Sequence, residues 1–597
     1  MTRGAWLGPV FAYEWLARSR RWQGYAVRAL FVAALLACLG VVWQSATRNT
    51  NLTARQQLVA AGTGFYQAMT VTQLALVLLA APAATAGAIC LDKARGTLAH
   101  VMVTDLSDRE VVLGKLAARL VPVLNLIACA LPVAALGTLL GGIDPVALTA
   151  AFLIALGVAL LGCSLALALS VWMKKAHEVL IVVFAVWAAW LLALPMWMLA
   201  HGTPSAPSWL NLSNPFWLTQ APYSYPGTTS LVEPVGFLLV CLALAVGLAV
   251  VAVARLRPIY LHQEGRTPKP VKDSRVAAWY RGQVRWWPGP SLDKNPVLWR
   301  EWHRNRPSRP VRMVWLAYIL ITSGVSLFVI AEWLQTGPPN GPSREIASVF
   351  NGFQACVGLL LLAASAGTAL SEERVRGSLD VLLATPMTTR SIVWGKWWGA
   401  YRRVPWLAFW PGLITFTILP SNASARAIAM AYLLPLIILA QGAALVSLGL
   451  ALATWIARGG RSIAWTVAAL VASVIGWPVA AFQLFNRSDV MFGQSAVVMG
   501  SPFWNVGFTT NLIEMSRRGG QFNPPMADGA FAGLIFWTLA YAGLAFAFYL
   551  AALLSFDRCL GRTPERPRPG RRARPRSKAR VGELDPWEVD RAGKVTA

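Results

Sequence analysis

The sequence predicts an all-α, polytopic membrane protein: about twelve transmembrane helices in two parallel six-helix repeats, each carrying a polar helical island on its cytoplasmic side. Three observations lead there. Apolar residues make up 56% of the chain and charged residues 13%, with a mean hydropathy of +0.52, an excess that a soluble globule has nowhere to bury. Uncharged runs of roughly 18 or more residues recur, each long enough as a helix to cross a hydrocarbon core of about 30 Å. Finally, a polar stretch, EERVRGSLDVLLATPMTTRSIVWGK from Glu372 to Lys396, has a first copy 281 positions upstream, DKARGTLAHVMVTDLSDREVVLGK from Asp92 to Lys115.

The elements follow from these in order. Within the two copies Arg95, Gly96, Leu98, Thr104, Arg109, Val112, Gly114 and Lys115 match Arg376, Gly377, Leu379, Thr385, Arg390, Val393, Gly395 and Lys396 without a gap. Upstream, Pro9, Val10, Glu14 and Trp15 return as Pro296, Val297, Glu301 and Trp302. Downstream, Asn214-Pro215-Phe216-Trp217 returns as Ser501-Pro502-Phe503-Trp504. Three landmarks repeating in one order mark an internal duplication. Spans are expected at 25–45, 70–91, 117–140, 146–172, 179–200 and 234–254, then at 313–334, 349–371, 404–420, 427–457, 463–485 and 530–556. Residues 1–256 form the first half, 257–311 a basic linker with a second lead-in helix, 312–556 the second half and 557–597 a basic tail. An even number of spans per half inserts both the same way up, about an axis along the membrane normal.

A net charge of +27 would point to nucleic acid in a soluble protein, but here the Lys and Arg are sorted by loop. Arg18, Arg20, Arg21, Lys93, Arg95, Lys174, Lys175, Arg374, Arg376, Arg458 and Arg461, with the linker and the tail, fall on one side of the spans. His201–Glu233 on the other side has no Lys or Arg. Both termini are therefore expected in the cytoplasm of a cell whose inner membrane holds the chain, with the bilayer and not nucleic acid as its charged partner. The tail PERPRPGRRARPRSKAR cannot bury enough apolar surface to fold alone; it reads as membrane-hugging disorder, with an RNA-binding tail as the alternative. The seven cysteines lie almost wholly in apolar runs without a CxxC pair and read as small hydrophobes. The first apolar run lacks a small-residue cleavage site and is expected to be retained.

Residues 1–24 mix Val10, Phe11, Trp15 and Trp22 with arginines, which suits a helix along the headgroups, although a plain positive flank to the first span would look similar. In each island the apolar residues recur at i, i+3 and i+4: Leu98, Val101 and Met102, then Leu379, Leu382 and Leu383. That spacing predicts a short amphipathic helix. Thr385-Pro386 biases the chain out of helix, and a restart is expected near Thr388; upstream, Ser107 with Glu110 forms a capping-box pattern. With Glu372, Glu373, Arg374 and Arg376 beside its stripe, such a hairpin is equipped to dock on another protein, whereas a plain connector needs none of this. The outer segments 201–233 and 486–529 are aromatic. They either fold back to close a pore or anchor at the interface.

ERVRGSLDVLLATPMTTRSIVWGK resembles the coupling region of ABC-2-type transporter permeases, whose pattern is close to E-x-x-x-G-T/S-L-x-x-L-L-x-T-P-x-S/T-R-x-x-x-x-G-K. The resemblance extends to the lead-in segments (Glu14, Trp15, Glu301, Trp302), to six spans per half, and to the outer turns at Pro215, Phe216, Trp217, Pro502, Phe503 and Trp504 as a gate. It implies that Asp92, Arg95, Gly96, Leu98, Val101 and Met102, and then Glu372, Glu373, Arg376, Gly377, Leu379, Leu382 and Leu383, couple the spans to a separate ATPase, with Asp92 and Glu373 near its groove and the leucines seated in it. Family members usually carry one half per chain and dimerise; two halves here imply that a single chain replaces the dimer. Upstream, Asp105 stands where the pattern has proline.

What the sequence lacks narrows the function. No G-x-x-x-x-G-K-[ST] is present, and Gly459-Gly460-Arg461-Ser462 lacks its lysine and spacing, so no cofactor is expected on this chain and ATP and Mg belong to two copies of a partner ATPase. Span interiors are nearly empty of the ionisable residues that proton or sodium relays need; Glu332 is read as interfacial. The five histidines are scattered with no metal spacing. Asp489, Glu514 and Asp528 in the last outer segment could host paired-carboxylate chemistry but read as solvated charge. The expectation is therefore the membrane subunit of an exporter and not an enzyme. A non-transporting scaffold of the same type of complex is the alternative, separated by whether cargo alters the ATPase rate.

Overall fold

The computed structural model describes residues 8–19, 22–47, 53–139, 141–201, 206–225, 227, 230–264, 290–303, 308–336, 346–376, 378–419, 423–456, 459–484, 491–517 and 524–561. Every element among them is helical. The first half runs α1 (Gly8–Ser19), α2 (Trp22–Thr47), α3 (Ala54–Thr85), α4 (Gly87–Ala94), α5 (Thr97–Val103), α6 (Asp108–Cys129), α7 (Leu131–Leu139), α8 (Pro145–Trp172), α9 (Ala176–His201), α10 (Ser208–Ser213), α11 (Pro215–Ser224) and α12 (Val232–Glu264). The second half runs α13 (Pro296–His303), α14 (Arg309–Thr336), α15 (Ile346–Ala366), α16 (Thr368–Arg376), α17 (Ser378–Leu383), α18 (Thr389–Tyr401), α19 (Val404–Ile418), α20 (Ala425–Trp455), α21 (Gly459–Val471), α22 (Trp477–Leu484), α23 (Met491–Val498), α24 (Pro502–Arg517) and α25 (Pro524–Leu560).

The polar residues punctuate this apolar chain. Thr53 and Gln56 close a capping box on α3, Ser107 and Glu110 close one on α6, and Asp144 caps α8 ahead of Pro145, each satisfying N–H groups that the first helical turn leaves orphaned. Between caps, helices satisfy their own backbone, which a hydrocarbon environment requires.

Ten helices among the described residues are long and apolar enough to cross a membrane. Helix also occupies the other two expected positions, in a different form. Near 404–420 the chain breaks at Arg402-Arg403 and restarts with Pro405 in the first turn, leaving the 15-residue α19, about 22 Å long. Near 463–485 a π-helical turn, Ala472–Gly476, joins α21 to α22. The second span starts earlier than its apolar run, because the Thr53 cap lies 17 residues upstream of Thr70. The outer segments are largely helical, as α10, α11, α23 and α24.

Burial sorts the spans into matched places. The apolar windows of α3, α8, α15 and α20 are 61–72% buried, those of α2, α12, α14 and α25 only 17–22%. Contacts between the halves are reciprocal: α9 packs on α14 and α15, while α21 packs on α3 and α22 on α2, the exchange expected of a two-fold relation. One apolar cluster crosses this seam, joining Val77, Ile154 and Phe184 to Leu359, Leu434 and Val467.

Candidate functional site

Each half builds the same assembly where its lead-in helix, its island and the following helix meet. Gly96 adopts φ +72°, a conformation costly for residues with a Cβ, and so turns α4 sharply into α5. On α5, Leu98 is fully buried, with Val101 and Met102 partly so, against Val111, Val112, Leu167, Val171, Ala252 and Leu256. In the second half Leu379 and Leu382 pack with Ile392, Val393, Leu450, Ala451, Ala552 and Phe556, and Leu383 lies against them. Burying each leucine contributes about 2 kcal/mol. The apolar stripes therefore seat on the chain's own helices.

The acidic residues also face inward. Lys115 on α6 donates to Asp92 (2.5 Å) and Glu14 (3.5 Å), and Arg119 reaches Glu14 at 3.2 Å. In the second half Lys396 on α18 holds Glu301 at 2.5 Å and Glu373 at 2.7 Å, with Arg300 on Glu373 at 3.2 Å. One lysine thus ties three elements in each half. Glu301 can reach Lys396 because α13 lies directly on α18: a Cβ at Gly395 would stand 3.0 Å from the Leu298 nitrogen, and one at Gly399 would stand 2.8 Å from Glu301. Arg402 donates to the Trp302 carbonyl at 3.1 Å and lies over its ring. Burial, with Arg402 beside it, pushes the Arg403 guanidinium down to about 10, so it stays charged at neutral pH over the Trp315 ring.

The islands leave other residues outside. Arg95, His100 and Val103 are exposed on the first and Asp380, Val381 and Ala384 on the second, with Val103 87% and Val381 71% accessible. The side chains of Glu372 and Arg376, and Gly377 entirely, lie outside the described residues. Trp15, with Tyr13 and Leu16, presents an apolar outer face on α1.

The outer turns form helix starts. Asn214 accepts from the Phe216 and Trp217 amides and places Pro215 in the first turn of α11, while Tyr66 donates to the Thr219 carbonyl at 2.8 Å. Pro502 starts α24, where Phe503 packs on Phe353 at 5.0 Å and Trp504 is partly exposed. Asn351 of α15 donates to Thr510 of α24. Asp489 lies outside the described residues; Glu514 is buried and Asp528 pairs with Arg426. Among the described residues no three of His, Cys, Asp and Glu gather around a possible metal.

Sequence reasoning missed the lysine nodes and the α15 polar network. The nodes had a signal: Glu14 and Glu301, Asp92 and Glu373, and Lys115 and Lys396 repeat as charges of opposite sign in lock-step.

A search of curated proteins finds no match. The family model for ABC-2 family transporter proteins matches residues 9–257 and, a second time, residues 312–558. The two matches take in the first lead-in helix, both islands and both sets of membrane helices, the second lead-in helix standing just ahead of the second match, and the chain belongs to the ABC-2 transporter family with two copies of its unit in one polypeptide.

Proposed function

We infer that this chain is the transmembrane subunit of an ATP-binding cassette exporter in the inner membrane, driven by two copies of a separate ATPase that hold the ATP and Mg. Its two halves supply twelve spans and replace a permease dimer, with both termini and both islands cytoplasmic. ATP binding draws the ATPase subunits together, the islands receive that movement, and the spans of each half tilt about the seam to open a path outward.

The observation that carries this reading is the lysine node in each half. A lysine shared by the lead-in helix, the island and α6 or α18 makes the three move together, so a push on the island passes to the spans and not into a flexible loop. The node and the leucine stripe are internal to this lever. The surface offered to the ATPase is the outer face of α5 and α17, around Val103 and Val381.

Replacing both exposed valines, Val103→Asp and Val381→Asp, tests this without touching the nodes. Membrane insertion is expected to persist while the ATPase is lost on copurification. Full copurification and transport with both substitutions would end the assignment.

A further inference from the structure

Along the outside of α18, where it meets α25, runs a groove of about 700 Å³ whose two ends differ in chemistry. Thr388, Arg390 and Ser391 line the end at the start of α18; Trp394, Phe546 and Tyr549 line the other. From Thr388 to Trp397 the helix rises about 13 Å, from the edge of the island toward the apolar body of the second half. Trp394 is 47% and Phe546 64% exposed, and Trp394 stands edge-on to Tyr549 at 6.4 Å. No carboxylate lines the groove, and Arg390 has no ion pair among the described residues.

We propose that this groove binds one phospholipid with an anionic headgroup, from the leaflet next to the islands. A guanidinium flanked by two hydroxyls matches a phosphodiester in charge and in donors. Aromatic rings one to two turns deeper lie at the depth where a glycerol backbone passes into acyl chain, and the exposed Phe546 gives that chain an apolar wall. A free phosphate would use only the arginine end. The site is particular to the second half. Arg109 matches Arg390, but Leu113 and Leu116 stand at the positions of Trp394 and Trp397, and α12 has no aromatic residue between Phe237 and Tyr260. The first half therefore keeps the cation and lacks the aromatic wall, which makes it an internal control. The site does not depend on what the chain transports; a bound lipid would fasten the second island to its leaflet.

Native mass spectrometry of the purified chain, titrated with phosphatidylglycerol, phosphatidylcholine of the same acyl chains, or glycerol 3-phosphate, tests the site. The wild type should retain one phosphatidylglycerol in preference to phosphatidylcholine. Arg390→Glu should weaken that retention about fivefold or more, from about 1 kcal/mol per basic residue near an anionic surface, and Arg109→Glu should leave it unchanged. Trp394→Ala should weaken both lipids. Equal losses for Arg390→Glu and Arg109→Glu would reduce the effect to diffuse charge and overturn the site, as would equal retention of the two lipids. Displacement by glycerol 3-phosphate would reassign it to free phosphate. Arg390 is exposed, so its reversal leaves the fold intact, and should Trp394→Ala not fold, the two arginine variants decide alone.

Discussion

The two lysine nodes share residues and connectivity, yet they sit in different surroundings. Lys396 is 2% exposed with its carboxylates at 7 and 8%, while Asp92 and Glu14 around Lys115 keep 26 and 19% of their side-chain surface. The cause lies in the backbone. Gly399 stands where the first half has Ala118, and a Cβ there would stand 2.8 Å from Glu301, so the glycine lets α13 close onto α18 over the second node's ions. The first node stays partly hydrated and gains Arg119 as a second cation. A duplicated constellation is thus not energetically duplicated: the second half holds its lead-in helix by a sealed ion cluster, the first by a looser and more solvated one.

The largest expected effect follows. Lys396→Met leaves Glu301 and Glu373 buried without the cation they share, and removing one member of a buried ion cluster costs about 3–5 kcal/mol. Lys115→Met leaves partly solvated carboxylates with Arg119 still in place, for a loss of about 1–2 kcal/mol. Thermal unfolding of both variants in the same detergent measures the difference. Equal losses would show that exposure does not separate the nodes.

A second contrast lies in the buried polar side chains of α3 and α15. Gln354 donates to Asn351 at 2.6 Å and accepts from Ser326 at 3.3 Å. Its counterpart Gln73, displaced by the same 281 positions, is 2% exposed, with no hydrogen-bond partner for either amide atom among the described residues. Gln354→Leu strands two buried polar groups and should destabilise by about 1–3 kcal/mol. Gln73→Leu removes an unsatisfied amide and should leave stability unchanged or raise it by up to about 1 kcal/mol. The same unfolding assay reads both, and a loss at Gln73 as large as at Gln354 would mean that the first half satisfies its glutamine after all.

How much of this was legible in the sequence depends on whether the signal is local. Apolar runs, repeat spacing and caps are local, so the membrane helices, the island helices and the Ser107 capping box could be read directly. The outer helices went unread because short apolar helices beside proline resemble loops, although Asn214 before Pro215 is the order of a helix cap and first turn. The facing of an amphipathic stripe is not local. Leu379 and Leu382 looked available to a partner, yet α20 and α25 cover them; only the fold shows which neighbour gets there first. Family likeness placed Glu373 near the groove of a partner ATPase, and no local signal told that within the chain it also pairs with Lys396 and Arg300.

The smallest contrast concerns the caps that hold each island's tip at a fixed angle. Ser107 accepts from the Glu110 amide at 3.3 Å, and the Glu110 carboxylate accepts in return from the Ser107 amide at 2.9 Å. Thr388 has the one bond, from the Ser391 amide at 3.3 Å. Ser107→Ala keeps the return bond and should cost about 0.5–1 kcal/mol, whereas Thr388→Ala removes all side-chain capping and should cost about 1–2 kcal/mol. Global melting barely resolves such a gap, so hydrogen exchange in the first turns of α6 and α18 is the better readout. Exchange should quicken only a few-fold in α6 and roughly ten-fold in α18, since about 1.4 kcal/mol is a factor of ten. Equal acceleration would show that the reciprocal bond adds nothing, and that the first island is held at its tip no more firmly than the second.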